Sequence, residues 1–332
     1  MRGLSLTSLA MLFAASLFAD DAKKDAPPKV EAFTSADKAG PDFEIQGEYL
    51  WSGSTVEINF GTAAQVIALG DGKFEVLTWK ANGLPTQGWN GKQELRIPAQ
   101  TRDGKASFVY DQGHGFIGAG KMTWTTKPGA TLVLNRIVRQ SPTLGMKPPS
   151  SANVLFDGTS ADQWEKGQLV EGNLLKWGTT SKAKFGDCTI HVEFRLPFMP
   201  RARGQERGNS GVYVQGRYEI QVLDSFGLEG KNNECGGIYT MSAPKVNMCY
   251  PPLSWQTYDI DFTSAKFDSA GKKVSDAVMT VRHNGVVIQD AVKVPNPTGG
   301  SLSKESAEPG PIYLQDHGDP VAFRNIWVAE KK

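Results

Sequence analysis

Apolar and polar side chains alternate along much of this chain, and one run combines the alternation with unusual polar chemistry. Between Tyr213 and Val222 the even positions are apolar or amphipathic. The odd positions carry polar side chains: Gln215, Arg217, Glu219 and Gln221. A period of two is typical of a β-strand with one face in the core. We therefore predict one strand over Tyr213–Asp224, with the polar side chains in a column on its other face.

This polar column is suited to a saccharide. Successive side chains on one face of a strand lie roughly 7 Å apart, close to the size of a sugar ring. Arg217 donates hydrogen bonds, Glu219 accepts them or transfers protons, and Gln221 does either, so together they match the hydroxyl groups of a sugar. Tyr213 on the same face could stack on the sugar's C–H surface. A merely solvated outer face is the alternative, because alternation alone is common.

A second candidate motif, LQDHGDP, lies near the C-terminus. Asp316 and His317 precede a turn, so a strand would deliver them to the edge of a sheet. Adjacent residues on a strand point to opposite faces, so we expect only one of the two to line a pocket. We favour His317, since simpler residues would serve for a turn alone; a turn-capping or hydrogen-bonded structural role is the alternative.

Short strand-like runs separated by turn signals fill the rest of the chain and predict an all-β protein. Residues 41–141 are expected to form a small β-rich domain, and residues 142–152, rich in Pro, Ser and Gly, a linker. Residues 153–330 predict a β-sandwich, with a barrel as the alternative. His283-Asn284-Gly285 marks a tight hairpin within it.

The N-terminal residues predict an exported protein. An apolar run too short to span a bilayer follows Arg2, which is typical of a signal peptide over residues 1–19. A buried helix is the alternative. Residues 20–40 are polar and predict a flexible spacer. We expect a periplasmic or extracellular protein with no membrane span.

Composition narrows the range of partners. The formal charge is +1, so nucleic acid is not an expected partner and a neutral polyol suits the protein better. No metal site or other cofactor is predicted, since no cluster has zinc-ligand spacing, and a metal requirement stays open. The GHGFIG run fits a dinucleotide-binding pattern, but the required helix does not follow it. Cys235 and Cys249 could pair in an oxidising compartment, whereas Cys188 is expected in the core.

Several motifs in series resemble the 3-keto-disaccharide hydrolase domain family, over about residues 153–330. They are LFDGTSADQW, FGDCTIHVEFRLP, GNSGVYVQGRYEIQVLDS, CGGIYT, WQTYDIDF, HNGVVIQD and LQDHGDPVAFRNIWV. The resemblance implies a concanavalin A-like β-sandwich, or jelly roll, and an oxidised glycoside as substrate. The N-terminal region is similar to a small β domain that precedes this one in planctomycete proteins, which implies no function.

The resemblance also implies a reaction, in which a C3 ketone acidifies the C2 proton and allows the C1 substituent to leave, before water adds. Such a reaction needs a base, an acid and a donor for the enolate oxygen. Glu219 and His317 are the candidates for base and acid, in either order, and Arg217 for the donor. Further candidates are substrate-binding residues: Gln221, Asn209, Tyr213, Asp224 and Asp316.

Two other functions stay open. Glu219 and Asp224 resemble the carboxylate pair of laminarinase-type glucanases, although the shorter Asp224 side chain alters the separation that a retaining mechanism needs. A non-catalytic, lectin-like module is the other alternative, since this fold serves binding as readily as catalysis. The sugar, its linkage and the oligomeric state are not determined by the sequence.

Overall fold

The regular structure of the described residues is almost entirely β. The computed structural model describes residues 30–53, 62–79, 83–86, 95–111, 113–127 and 129–331. The predicted signal peptide and residues 20–29 of the predicted spacer lie outside the described residues. Phe33, in the described part of that spacer, forms an antiparallel bridge with Phe198. No helix in the described ranges has both the length and the apolar character needed to cross a membrane.

The N-terminal β-rich region contains a closed antiparallel barrel, in which each strand pairs with the next and the last pairs with the first. A short helix, α1 (Pro41–Ile45), precedes it. The barrel strands are β1 (Gly47–Leu50), β2 (Ala63–Gly70), β3 (Lys73–Thr78), β4 (Leu95–Arg102), β5 (Lys105–Tyr110), β6 (Gly113–Gly118), β7 (Lys121–Thr126) and β8 (Thr131–Ile137). Large side chains such as Phe74 and Trp124 fill its interior. The GHGFIG run forms strand β6 and is followed by another strand. It therefore lacks the helix N-terminus on which a dinucleotide's pyrophosphate lies in proteins with this pattern.

The C-terminal region forms the predicted β-sandwich. Its strands are β9 (Asn153–Phe156), β10 (Trp164–Glu165), β11 (Leu169–Val170), β12 (Leu174–Lys176), β13 (Thr179–Phe185), β14 (Cys188–Arg195), β15 (Ser210–Val214), β16 (Tyr218–Val222), β17 (Trp255–Thr263), β18 (Lys266–Phe267), β19 (Lys273–Ser275), β20 (Ala277–His283), β21 (Val286–Val294), β22 (Gly310–Leu314) and β23 (Ala322–Glu330). One sheet has the order β10-β13-β22-β15-β16. The other has the order β11-β12-β23-β14-β17-β20-β21, with β9 beside β23, and β18 pairs with β19.

The two sheets share a hydrophobic core. The apolar members of the alternating run all belong to it: Val214, Tyr218, Ile220 and Val222. They meet side chains of the opposite sheet such as Phe194 and Ile260. Cys188, Cys235 and Cys249 are buried free thiols, so the pairing of Cys235 with Cys249 is not formed in this structure.

The run that alternation predicts to be one strand is instead a hairpin. Strand β15 ends at Val214 and β16 begins at Tyr218, with Val214 paired to Tyr218. Gln215 and Gly216 both have positive φ, and the Arg217 N–H donates to the Val214 carbonyl, as in a type I′ turn. The prediction of a single strand over Tyr213–Asp224 is therefore wrong. Alternation continues unbroken through this turn, and Gly216 is the local sign that the chain reverses.

The barrel packs against the sandwich. Ile67 and Trp79 of the barrel belong to the sandwich's hydrophobic cluster. Arg207 lies at the junction, where its guanidinium donates to the Ala68 carbonyl of the barrel (3.1 Å) and to Oδ2 of Asp224 in the sandwich (2.7 Å). These contacts join the two β units through both apolar and charged groups.

The predicted linker follows the outer face of the larger sheet. The Thr143 hydroxyl donates to Oδ2 of Asp259 (2.7 Å), and the Gly145 N–H donates to Oε1 of Glu193 (2.5 Å). The segment is thus held by buried carboxylates of β14 and β17.

Candidate active site

A polar cavity of about 210 Å³ lies on the face of β15 and β16 that points away from the core. Its wall is made of polar side chains and two glycines: Gln205, Asn209, Tyr213, Glu219, Gln221, Tyr239, Gly299, Gly300, Gln315 and His317. An apolar cavity of about 150 Å³ holds a benzene molecule. This cavity therefore has room for one substituted six-membered ring.

Glu219 and Tyr213 form a hydrogen-bonded pair on the cavity wall. They are direct partners across β15 and β16, and the Tyr213 hydroxyl lies 2.8 Å from Oε2 of Glu219. Burial raises the pKa of Glu219 to about 7, although the hydrogen bond from Tyr213 acts in the opposite direction. Burial and the nearby Glu219 charge raise the pKa of Tyr213 far above its ordinary value, so the phenol keeps its proton. A carboxyl group that titrates near neutral pH can accept and release protons during a reaction.

Two glycines allow this pair to sit where it does. A Cβ atom at Gly211 would lie 2.3 Å from Oε1 of Glu219, and one at Gly300 would lie 2.6 Å from the Tyr213 hydroxyl. Gly300 also has a φ of +74°, which L side chains rarely adopt. Any larger residue at either position would displace the pair.

Asn209 and Gln221 present unpaired acceptors. Both side chains are only 1% exposed. Their amide nitrogens donate to Gln205, whereas Oδ1 of Asn209 and Oε1 of Gln221 have no hydrogen-bond partner among the described residues. A buried polar atom without a partner costs about 1–3 kcal/mol, so such atoms mark places where a ligand can bind.

The LQDHGDP motif supplies a further part of the wall. The Gln315 amide donates to the Tyr213 hydroxyl oxygen at 3.1 Å. His317 lines the cavity and is exposed to solvent. Asp316 does not line the cavity. Its Oδ1 accepts hydrogen bonds from the Trp177 indole (3.1 Å) and from the backbone N–H of Gly318 (2.8 Å).

Arg217 lies in the hairpin turn and outside the cavity. Its guanidinium donates to Ser303 Oγ (3.3 Å), to Oγ of Ser306 (2.8 Å) and its carbonyl (3.2 Å), and to the Glu308 carbonyl (3.1 Å). These acceptors belong to residues 299–308, which we call the strap and whose first two residues line the cavity. Arg217, which the sequence predicted as the hydrogen-bond donor to the enolate, therefore binds the strap that forms one wall of the cavity. It does not face the cavity interior.

Asp224 also lies outside the cavity. Its Oδ2 accepts from Nε of Arg207 at 2.7 Å, at the junction with the barrel. Glu219 and Asp224, the carboxylates that resemble a glucanase pair, are therefore not both on the cavity wall. The structure thus brings together five of the eight predicted site residues: Asn209, Tyr213, Glu219, Gln221 and His317.

Five wall residues were missed by sequence reasoning: Gln205, Tyr239, Gly299, Gly300 and Gln315. Tyr239 lies in the CGGIYT motif and Gln315 in LQDHGDP, so the motif that contains each residue is its signal in the sequence. Gln205, in the short 3₁₀ helix Gly204–Glu206, and the two glycines had no local signal.

Other parts of the protein fit a reaction site less well. Within the described ranges, no group of three or more His, Cys, Asp or Glu side chains is placed to hold a metal ion. A cavity of about 290 Å³ lies between the barrel and the sandwich. Its buried charged groups, Arg139 and Glu48, neutralise each other at 2.5 Å.

Comparisons with known proteins concern the sandwich. Residues 151–329 match the model of the 3-keto-alpha-glucoside-1,2-lyase-like domain. A solved "putative glycosyl hydrolase" from Parabacteroides distasonis ATCC 8503 is 34% identical, and the match covers 55% of this chain and 85% of that one with a TM-score of 0.50. A second protein of that description and organism is 16% identical, and the match covers 55% of this chain and 95% of that one with a TM-score of 0.40. A third is 19% identical, and the match covers 54% of this chain and 99% of that one with a TM-score of 0.38. The comparison with curated proteins gave no match.

Proposed function

This chain belongs to the 3-keto-alpha-glucoside-1,2-lyase-like domain family, and we propose that it cleaves 3-keto-glycosides by elimination followed by addition of water. Its family and its relative among solved structures make it a carbohydrate-active, hydrolase-type protein. One observation carries the finer proposal: Glu219, with a pKa of about 7, lies on the wall of a polar cavity the size of one sugar ring.

The reaction begins at C2, where the neighbouring C3 carbonyl makes the proton acidic. A base removes this proton, and the C2–H electron pair forms an enolate with its negative charge on the C3 oxygen. The enolate then re-forms the ketone, a C1–C2 double bond forms, and the C1–O bond breaks while an acid protonates the departing oxygen. Water adds to C1 and a proton returns to C2, so the products are a free 3-keto sugar and the released alcohol.

We assign Glu219 as the base and His317 as the acid. Glu219 is 2% exposed, so a carboxylate there is poorly solvated and gains from taking a proton. His317 is exposed beside the cavity. A leaving group of variable size must project towards solvent, and His317 is a wall residue on that side whose imidazole can donate a hydrogen bond to the departing oxygen. Tyr213 keeps its proton, so it donates to the ionised Glu219 carboxyl and holds it in place.

The enolate oxygen needs a hydrogen-bond donor, and Arg217 does not face the cavity. Gln315 provides an amide N–H on the wall, and Tyr239 provides a hydroxyl. We propose that these two groups replace Arg217 in the role of donor to the C3 oxygen.

Product formation from two matched probes tests the proposal. The chain should release methanol from methyl 3-keto-α-glucoside and leave methyl α-glucoside intact. In D₂O the released 3-keto sugar should carry deuterium at C2, beyond the exchange seen when 3-keto glucose is incubated without protein. Direct hydrolysis breaks no C–H bond and would leave C2 unlabelled. Cleavage of the unoxidised glucoside at a comparable rate would overturn the proposal.

A further inference from the structure

Three amide side chains beside the cavity form a hydrogen-bond relay with a fixed direction. Gln205 donates through Nε2 to the backbone carbonyl of Asn233 at 2.8 Å. A carbonyl only accepts hydrogen bonds, so the Gln205 nitrogen must face Asn233 and its Oε1 must face the other way. Oε1 accepts from Nε2 of Gln221 (2.9 Å) and, more weakly, from Nδ2 of Asn209 (3.4 Å).

The relay leaves Asn209 and Gln221 each with an amide oxygen that accepts no hydrogen bond. Each of them uses its NH₂ group on Gln205, and Asn209 also donates to the Gln205 backbone carbonyl at 2.7 Å. Oδ1 of Asn209 and Oε1 of Gln221 remain unpaired among the described residues, although both side chains line the cavity. A ligand can satisfy these two atoms only by donating a hydrogen bond.

We propose that Asn209 and Gln221 form a hydroxyl-binding subsite that Gln205 holds in its accepting orientation. It binds two hydroxyl groups of one saccharide ring, whereas a carbonyl oxygen has no proton to donate and satisfies neither acceptor. The inference rests on the proposed function in one respect, the identity of the ring as a 3-keto sugar. It then fixes the orientation of that ring, with the ketone directed away from the two amides and towards the donors Gln315 and Tyr239.

The two acceptors depend on Gln205 to different degrees. Asn209 keeps its bond to the Gln205 backbone carbonyl whatever the side chain at 205. Nε2 of Gln221 donates to Oε1 of Gln205, and removal of that oxygen frees the Gln221 amide to rotate. Gln205→Met should therefore impair the Gln221 contact and spare the Asn209 contact. Gln205 is partly exposed on a short surface helix, so this variant should fold.

Equilibrium titration tests the subsite with methyl 3-keto-α-glucoside and its 2-, 4- and 6-deoxy analogues. The full chain would carry Glu219→Gln to slow consumption of the ligand. Two of the three deoxy analogues should bind about tenfold more weakly than the parent, the change expected for loss of one hydrogen bond to a buried acceptor. In Gln221→Met, one of these two analogues should bind as tightly as the parent compound does to the same variant. In Asn209→Ala, the other analogue should do so. Gln205→Met should reduce the loss of affinity that Gln221→Met removes and leave unchanged the loss of affinity that Asn209→Ala removes.

Each outcome decides between the two proposals. Equal binding of all analogues, absence of binding, or penalties unchanged in Gln221→Met and Asn209→Ala would overturn the subsite, even if the unmodified chain cleaves the keto-glycoside. The expected pattern of penalties would support the subsite even if the unmodified chain cleaves nothing, in which case the proposed reaction alone fails.

Discussion

Tyr213 and Glu219 face each other across β15 and β16, and the Tyr213 hydroxyl is shared between two acceptors. Oε2 of Glu219 lies 2.8 Å from it and the Gly299 carbonyl 2.7 Å. A phenol has one proton, so it donates to Glu219 when that carboxyl is ionised. When Glu219 is protonated, the carboxyl can donate to the phenol oxygen and the phenol to Gly299. Transfer of a proton to Glu219 therefore needs no movement of heavy atoms on this wall.

Replacing the proposed base should strongly reduce turnover without unfolding the protein. Glu219→Gln keeps the size of the side chain and an oxygen that accepts from Tyr213, but the amide cannot take a proton. We expect kcat on methyl 3-keto-α-glucoside to fall by at least about a hundredfold, the usual contribution of a general base. Glu308→Gln is the matched control, since that side chain is exposed on the strap. Full activity in Glu219→Gln would exclude its role.

The activity should depend on pH through Glu219. Its pKa is raised to about 7 by burial, and the base is the ionised form, so kcat/KM should fall as the pH drops below about 7. The hydrogen bond from Tyr213 favours the ionised form. Tyr213→Phe should therefore move this acidic limb to higher pH. A limb that stays in place would mean that another group titrates.

A methyl group beside the carboxyl should disturb catalysis more than folding. Gly211→Ala places a Cβ atom 2.3 Å from Oε1 of Glu219, and the backbone there has no positive φ to add strain. Misplacement of a catalytic group by about 1 Å can cost about a hundredfold in rate. We expect a loss of that size in kcat, measured beside the melting temperature. Gly186→Ala, where the added atom meets nothing within 4 Å, should leave both unchanged.

Arg217 should act by positioning the strap. Arg217→Ala removes hydrogen bonds to three strap residues, and bonds to a charged group are worth about 1.5–3 kcal/mol each. We expect KM to rise about tenfold, the acidic limb of the pH profile to stay in place, and proteases to cut within residues 299–308. Arg282→Ala, at an exposed position on β20, is the control. A changed pH limb with an intact strap would indicate direct contact with the substrate.

Substitution of Asp224 distinguishes the proposed reaction from a mechanism that uses Glu219 and Asp224 as a carboxylate pair. Asp224→Asn leaves the buried Arg207 charge without its partner and should destabilise the protein by about 3–5 kcal/mol. The remaining folded enzyme should keep its kcat, because Asp224 is not on the cavity wall. The two quantities can be measured separately, by urea unfolding and by rates per folded molecule. Loss of kcat with unchanged stability would point to a carboxylate pair.

The sequence by itself determined the fold class, the family and part of the site. Alternation follows from strand geometry, so the apolar positions from Val214 to Val222 could be assigned to the core without a structure. Asn284 and Gly285 predicted a hairpin, and both have the positive φ that such a turn requires. Glu219 and Gln221 could be placed on one face because they are two residues apart on a strand.

Only the tertiary structure decided which polar groups meet. The turn at Gln215 and Gly216 folds the polar column back on itself, so Tyr213 comes to face Glu219, while Arg217 stays in the turn and binds the strap. Gln205, Tyr239 and Gln315 join them through contacts between distant parts of the chain. Such contacts depend on how residues far apart in the sequence are brought together across a sheet, and no pattern within one short segment encodes that.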